Sequence, residues 1–481
     1  MSKTINILFL AAEAEPFVKV GGLGDVASAL PRALRKLSTD VLGDISLDAR
    51  LVLPHHTVIK TESRPLAIFP LERQGKDIPV QVSETILDGM PVYLIGGEPI
   101  TSVGSVYSSN PMVDAEKYTF FSRAALELPR VLNWKADVIH ANDWHTALAI
   151  YGLLLKRWAG EMKGTASVLT MHNLPYMGAD VTELLASYGM PVTQTDLPDW
   201  ARALPLPLGL FSTDAIVAVS PSYADEILTA EFGCGLEDFI HRHRDVLSGI
   251  LNGIDNEMYD PSTDTAIPYM FTAENPAIRE KNKIALQERL GLPADPITPM
   301  VAMVGRMDVQ KGVDLALKVL GKITDIPWQF VLLGTGDSEL EESARRMQME
   351  YPGRVRVELR FDGGLARHIY AGSDMLLMPS RYEPCGLAQM IAMRYGCIPI
   401  VHVTGGLGDT VTDETGFRFK SATPRSLRTS IVKALTVYSD REHWRLMQKK
   451  AMRVDFSWLK SAREYFQLYK TLLAKNETDN S

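Results

Sequence analysis

The pentapeptide Gly-Gly-Leu-Gly-Asp occurs twice in this chain, at Gly21 to Asp25 and at Gly405 to Asp409, once in each half. Each copy follows a short apolar run and precedes a helical pattern. That order suits backbone N–H groups and a helix N-terminus receiving an anion, although one copy alone could equally be a tight strand-to-helix turn. Side chains with matching chemistry stand beside both. Lys19 comes just before the first copy and can set an ammonium next to an anion held there, and Asp25 either complements the helix dipole or binds a ligand hydroxyl. Ahead of the second copy, which Thr404 introduces, the turn Ser380-Arg381-Tyr382-Glu383 offers an arginine and a carboxylate.

Further polar groups end other apolar runs. Gly305-Arg306 follow Val301 to Val304, and Lys311-Gly312 open a helix, so two cations stand at the mouth of a crevice. Arginine can clamp a phosphate in bidentate fashion while lysine adds a point charge. At an effective dielectric near 20, each contact pair is worth about 4 kcal/mol before desolvation, enough to hold a diphosphate as it departs. Asp143, in His140-Ala141-Asn142-Asp143-Trp144-His145, is a natural N-cap for a helix from Thr146. His172-Asn173 end the next run, in either a structural or a functional role. No two aspartates lie two positions apart, and no Walker-type phosphate loop is present. Charge on a leaving diphosphate then falls to Arg306, Lys311 and backbone N–H groups rather than to magnesium.

These groups need elements to position them. Leu376-Leu377-Met378 reads as a buried parallel strand halted by Pro379. Pro384 suits the first position of a helix carried by Ala388 to Tyr395 and ended by Gly396, and Ile398 to Val401 make the next strand. Two successive strand ends thus bring a carboxylate, an arginine and a glycine loop to the carboxyl edge of a doubly wound sheet, where ligands bind. In the first half, Ile5 to Ala12 is a strand and Val26 to Leu37 a helical run. Apolar runs and helical patterns alternate to about Leu251, and a second such series starts at Met300. The expectation is α/β: two Rossmann-like, doubly wound domains facing across a cleft. The first spans 1–255 and the second 256–455, with Asp260 to Ile267 as the linker. Ala67 to Ile95 could form antiparallel hairpins on the first sheet, and Gly178 to Asp214 reads as an irregular surface segment. In 456–481, Ala462, Tyr465, Phe466, Tyr469, Leu472 and Leu473 give a helix one apolar face for docking, and Lys475 to Ser481 read as disordered.

Composition narrows the function. At 481 residues the chain is too long for one core, and its 46% apolar and 22% charged content is that of a globular protein. A net charge of −8 without a basic run argues against nucleic acid as partner. No apolar run approaches the roughly 20 residues needed to cross a bilayer. Glu13 and Glu15 follow the first apolar stretch, so it reads as a buried strand rather than a signal peptide. Cys234, Cys385 and Cys397 match neither a disulfide framework nor a zinc site, which points to reduced, cytoplasmic thiols.

Taken in order, several stretches resemble the bacterial glycogen synthase and plant starch synthase family, retaining glucosyltransferases of the GT-B fold. They are Lys19 to Leu23, His140 to His145, His172-Asn173-Leu174, Ala218 to Pro221, Gly233 to Glu237, Leu251 to Asp255, Arg306 with Lys311-Gly312, Pro379 to Leu387 and Thr404 to Leu407. The resemblance implies a glucosyl unit passing from ADP-glucose to the non-reducing 4-OH of an α-1,4-glucan, with no metal or other cofactor. It implies that Arg306 and Lys311 hold the diphosphate while Gly22 and Thr404 to Leu407 give N–H donors. Glu383 would bind glucose hydroxyls and favour an oxocarbenium-like transition state. His172 would line the glucose site, Asp143 would contact sugar or acceptor, Asp25 would reach the nucleotide and Phe361 would stack on adenine. The donor-binding set also takes in Lys19, Gly21, Asn252, Cys385, Gly386, Leu387, Thr404, Gly405 and Gly406. The second domain would bind the nucleotide sugar, and the last helix would return to the first domain.

The sequence departs from that family at Asn142, where histidine is common, and at Met177, where glutamine is usual. The segment Gly178 to Asp214 is short and lacks the Lys-Gly/Ala-Gly signature. Two other readings fit the same residues: a retaining GT-B transferase using UDP-glucose or a small acceptor such as a sugar phosphate, and a silent nucleotide-sugar or glucan-binding protein.

Overall fold

The structure is a computed structural model that describes residues 3–479, with side-chain surroundings given through residue 476. It divides into two compact units, Met1–Gly253 with Trp458–Ser481, and Ile254–Ser457. Among the described residues the first unit holds β1 (Lys3–Leu10), β2 (Ile45–Pro54), β3 (Arg64–Arg73), β4 (Lys76–Leu87), β5 (Met90–Gly96), β6 (Val138–Asn142), β7 (Ala166–Met171), β8 (Ala215–Ala218) and β9 (Leu247–Gly249). They form one sheet in the order β3-β4-β5-β2-β1-β6-β7-β8-β9. From β5 through β9 neighbouring strands are parallel, while β3-β4 and β4-β5 are antiparallel. The hairpin alternative for Ala67 to Ile95 is therefore the one adopted. The central strands are covered on both faces, so β1 carries the continuous apolar run Ile7 to Leu10, all fully buried, and β6 and β7 are buried along their whole length, with His140, Asn142, Ser167 and Thr170 among their apolar residues.

The second unit contains β10 (Met300–Val304), β11 (Gln329–Leu333), β12 (Val355–Glu358), β13 (Met375–Met378), β14 (Ile398–His402) and β15 (Phe417–Phe419), parallel throughout in the order β12-β11-β10-β13-β14-β15. In the second unit the chain winds outward from β10 through β11 and β12 and resumes on the other side at β13; in the first it passes from β1 to β2, runs inward from the sheet edge through β3, β4 and β5, and resumes on the other side at β6. The reversal falls between β1 and β6 in the first sheet and between β10 and β13 in the second. Outside the carboxyl ends of such a strand pair the connecting loops diverge, which opens a crevice for a ligand.

The last helix, Trp458–Asp479, belongs to the first unit. It packs along the helix Gly22–Arg35, burying Trp458, Ala462, Tyr465, Phe466, Tyr469 and Leu472 among Val26, Leu30 and Ala33. At about 1.5–3 kcal/mol for each large apolar side chain, this contact outweighs the weak intrinsic stability of a single helix. Tyr469 Oη lies 2.7 Å from His140 Nδ1, and His140 Nε2 lies 2.7 Å from Thr170 Oγ1, so the helix is also tied to β6 and β7.

Three sequence expectations are corrected. Residues 475–479 continue the last helix rather than being disordered, while Asn480 and Ser481 lie outside the described residues. Within Gly178 to Asp214, Pro205–Ser212 is a buried helix packed on the helix Asp143–Trp158. Its prolines sit in the first turn, where a missing N–H costs nothing. The expected linker Asp260 to Ile267 is built into the second unit: Asp264 accepts from Arg367 Nη1 at 2.8 Å and from Tyr395 Oη at 2.5 Å.

Candidate active site

In the first unit, the chain leaving β1 forms a turn organised by Glu13. This carboxylate is buried and accepts from the N–H groups of Val20 and Gly21, the latter at 3.1 Å, and from Tyr107 Oη at 3.2 Å. Burial raises its pKa, and the two backbone donors oppose that rise. Gly22 then begins the helix itself, earlier than the expected Val26. The first glycine pentapeptide is thus the opening helical turn, and the Gly21 N–H serves Glu13, leaving Gly22 at the first helical position for a ligand. Lys19 Nζ binds Asp25 Oδ1 at 2.7 Å and lies 3.6 Å from Glu15. The sequence marks Glu13 only as an acid that follows the first strand, and does not mark Tyr107 at all. The signal for Glu13 was available, as an acid between a buried strand and a glycine turn; Tyr107 sits in an irregular loop that gives none.

At the ends of β6 and β7, Asp143 is not the N-cap. It is the first residue of the helix Asp143–Trp158, with φ +55°, a left-handed conformation that non-glycine residues rarely adopt. Its Oδ1 accepts the His172 N–H at 2.7 Å, and the Asn173 N–H also binds it, so the carboxylate clasps the chain leaving β7. Burial outweighs these donors and pushes its pKa up to about 7. Asn142 Nδ2 donates to Leu10 O at 2.9 Å, and Asn142 Oδ1 meets His172 Nε2 at 3.0 Å. Three strand ends, those of β1, β6 and β7, are joined by one amide. Burial holds the His172 imidazole neutral, with its pKa lowered to about 3. Asn252 is buried in the same unit, and its Oδ1 has no hydrogen-bond partner among the described residues.

In the second unit the ends of β10 and β13 converge as expected of the reversal point. Lys311 Nζ and Glu383 Oε2 are 2.6 Å apart, with side-chain exposures of 24% and 6%. Ser380 Oγ donates to the same oxygen at 3.1 Å. Gly312 holds Lys311 in place: its φ is +69°, and a Cβ there would come 2.2 Å from Pro379 O. Arg306 is 58% exposed and lies 3.5 Å from Asp308. Arg381 is not part of this group, because it forms a bidentate pair with Asp314 at 2.7 and 2.9 Å.

The second glycine pentapeptide opens the helix Gly405–Thr410. Gly405 has φ +43°, and a Cβ on it would lie 2.1 Å from Glu383 O. The Gly406 N–H donates to Glu383 O at 3.1 Å, and the Leu407 N–H to Thr404 O at 3.1 Å. The Gly406 amide thus braces the Glu383 backbone, and the Leu407 amide closes the turn on Thr404. The tight contact between Thr404 to Gly406 and Glu383 to Cys385 fixes the carboxylate. Pro384 does not start a helix; that helix runs Ala388–Arg394, after Gly386 (φ +72°) and Leu387. Phe361 stands in the loop after β12, 88% exposed. Among the described residues no cluster of His, Cys, Asp and Glu could hold a metal ion, and no helix is long and apolar enough to cross a membrane.

Residues 6–242 match the starch synthase catalytic domain model and residues 287–451 the glycosyl transferases group 1 model. A glycogen synthase from Thermotoga maritima is 38% identical over 98% of this chain and 99% of its own. One from Anaeromyxobacter sp. is 40% identical over 98% and 100%. The chain belongs to the glycogen synthase and starch synthase family of glycosyltransferases. The catalytic domain of starch synthase IV from Arabidopsis thaliana, solved with ADP and acarbose, superposes with a TM-score of 0.88 at 31% identity, covering 98% of this chain and 100% of that one. Sucrose-phosphate synthase from Thermosynechococcus elongatus shares the fold, with a TM-score of 0.60 at 18% identity. Two parallel-sheet α/β units are thus the GT-B architecture expected from sequence.

Proposed function

We propose that this member of the glycogen and starch synthase family transfers glucose from ADP-glucose to the non-reducing 4-OH of an α-1,4-glucan with retention of configuration. The observation that carries the reading is the Lys311–Glu383 pair at the reversal point of the second sheet, in a chain alike over its whole length to glycogen synthases. The bond from the anomeric carbon to the β-phosphate oxygen breaks as that carbon bonds to the acceptor O4 on the same face. The acceptor proton goes to the departing phosphate oxygen.

Lys311 has three donors, of which Glu383 uses one, so the ammonium can grip a phosphate oxygen without leaving the carboxylate. Arg306 adds a second cation, and together they offset the charge that builds on the diphosphate. Glu383 holds glucose hydroxyls and lies near the positive charge developing at the anomeric centre. In this proposal Cys385, Gly386, Leu387, Thr404, Gly405 and Gly406 line the donor site and Phe361 stacks on the base. Lys19, Gly21, Gly22, Asp25 and Asn252 complete nucleotide binding, and Asp143 and His172 face the sugar. No metal or cofactor takes part, and the free cysteines suit a cytoplasmic setting. The test offers ADP-glucose and UDP-glucose with glycogen, maltose and glucose 1-phosphate. ADP release with glycogen or maltose supports the proposal; UDP release with glucose 1-phosphate alone, or no release at all, overturns it.

A further inference from the structure

The end of β6 carries an asparagine whose amide binds one of the candidate site residues, His172. Asn142 is completely buried and occupies the N-cap position of the helix Asp143–Trp158, yet its side chain makes no cap. Thr146 takes that duty, its hydroxyl accepting the Asn142 N–H at 2.6 Å and donating to Asn142 O at 2.8 Å. The Asn142 amide is therefore available to bridge β1 and β7.

Its orientation follows from its partners. Leu10 O is a carbonyl and can only accept, so the amide nitrogen must face it, at 2.9 Å. The amide oxygen then faces His172 Nε2 at 3.0 Å, and that nitrogen must be the one bearing hydrogen. A flipped amide would oppose two oxygens on one side. With the proton on Nε2, the neutral ring has its lone pair on Nδ1, which makes no hydrogen bond among the described residues. The His172 backbone is fixed independently by the Asp143 carboxylate at 2.7 Å, so ring and main chain are held by adjacent residues of one strand end.

We infer that Asn142 is a positioning residue, which locks His172 in the Nε2–H tautomer so that Nδ1 presents a hydrogen-bond acceptor to a hydroxyl of the sugar. The inference rests on the proposed function for the identity of the hydroxyl's owner, but the tautomer itself does not depend on it. A histidine in place of Asn142 would have to divide one donor and one acceptor between opposite edges of a ring, whereas the planar amide offers both at one end. Position 142 is thus where this chain sets the polarity of the site through a residue that never touches substrate.

The test is nitrogen NMR on protein labelled at its histidines, of which there are ten, with the His172 signals assigned by their loss in His172→Gln. The wild type should show hydrogen on Nε2 and none on Nδ1. Asn142→Leu removes the acceptor while keeping the side chain's bulk, and should yield a tautomer mixture. It should also lower kcat/KM for the donor sugar roughly tenfold, the loss of about one hydrogen bond. Hydrogen on Nδ1 of the wild type would overturn the inference even if no variant folds. Wild-type kinetics in Asn142→Leu would also overturn it. If the wild-type spectrum shows Nε2–H but no donor sugar is turned over, the tautomer assignment stands and the proposed function fails.

Discussion

Lys311 and Glu383 differ in what their loss would expose. Removing the carboxylate leaves an ammonium that is 24% exposed and can turn to water, so the fold should lose less than about 1 kcal/mol. Removing the lysine leaves a carboxylate that is 6% exposed with, among the described residues, only Ser380 donating to its side chain, a costlier change of about 1–3 kcal/mol. Glu383→Ala is the cleaner probe. Its turnover should fall about 100- to 1,000-fold with an almost unchanged melting temperature; near-normal turnover would remove Glu383 from the chemistry. Asp143 makes a pH-dependent prediction. Its pKa is raised from 3.8 to about 7, so the native state holds this proton more tightly than the unfolded chain does. Its stabilising effect is complete below about pH 4 and is lost as pH rises through 7. Denaturant titrations of wild type and Asp143→Asn should therefore diverge across that window, the wild type losing stability relative to the variant as pH rises. Parallel curves would contradict the assigned burial. The placement of Glu383 and His172 just past strand ends was legible because each follows an apolar run at a predicted sheet edge, and that of Lys311 because it precedes a helix at the same edge. Asp143 was misread, since an aspartate between strand and helix has the composition of a cap and its left-handed backbone leaves no mark in the sequence.

At the scale of elements, the two glycine turns carry the same sequence and share a device that pattern alone did not reveal. In each, an amide N–H turns inward to a glutamate, the Gly21 N–H to the Glu13 carboxylate and the Gly406 N–H to the Glu383 carbonyl. The turns were legible as strand-to-helix corners; their inward bonds were not, because they depend on chain segments brought together only by folding. The buried helix Pro205–Ser212 was missed because prolines and a glycine give it poor intrinsic propensity, which packing against Asp143–Trp158 overrides. The last helix was legible from its apolar stripe. Its tie to β6 makes a specific prediction: Tyr469→Phe keeps the packing but strips His140 Nδ1 of its partner, and should cost about 1–3 kcal/mol in chemical denaturation. A loss below a few tenths would mean the hydroxyl does not anchor the helix. Gly312→Ala should be worse, about 2 kcal/mol or more, since it combines a left-handed φ with a clash against Pro379 O.

For the whole molecule, the winding order does most of the positioning. Each sheet reverses once, and the side chains with reactive chemistry lie at or beyond the ends of the strands that flank the reversal: Glu13, Asn142 and Asp143 in one unit, Arg306, Lys311 and Glu383 in the other. Alternating apolar runs made both sheets legible in outline. Strand order was not legible, because equally apolar parallel strands carry no label for their neighbours. With Arg306 and Lys311 meeting the charge of the leaving diphosphate, turnover should be unchanged in excess EDTA; full loss, restored by a divalent cation, would contradict that role. The most direct test of the central claim is a crystal structure of the ADP-glucose complex. Diphosphate oxygens should lie within hydrogen-bond reach of Lys311 Nζ and the Arg306 guanidinium, with glucose hydroxyls on Glu383. A diphosphate bound away from both cations would contradict it.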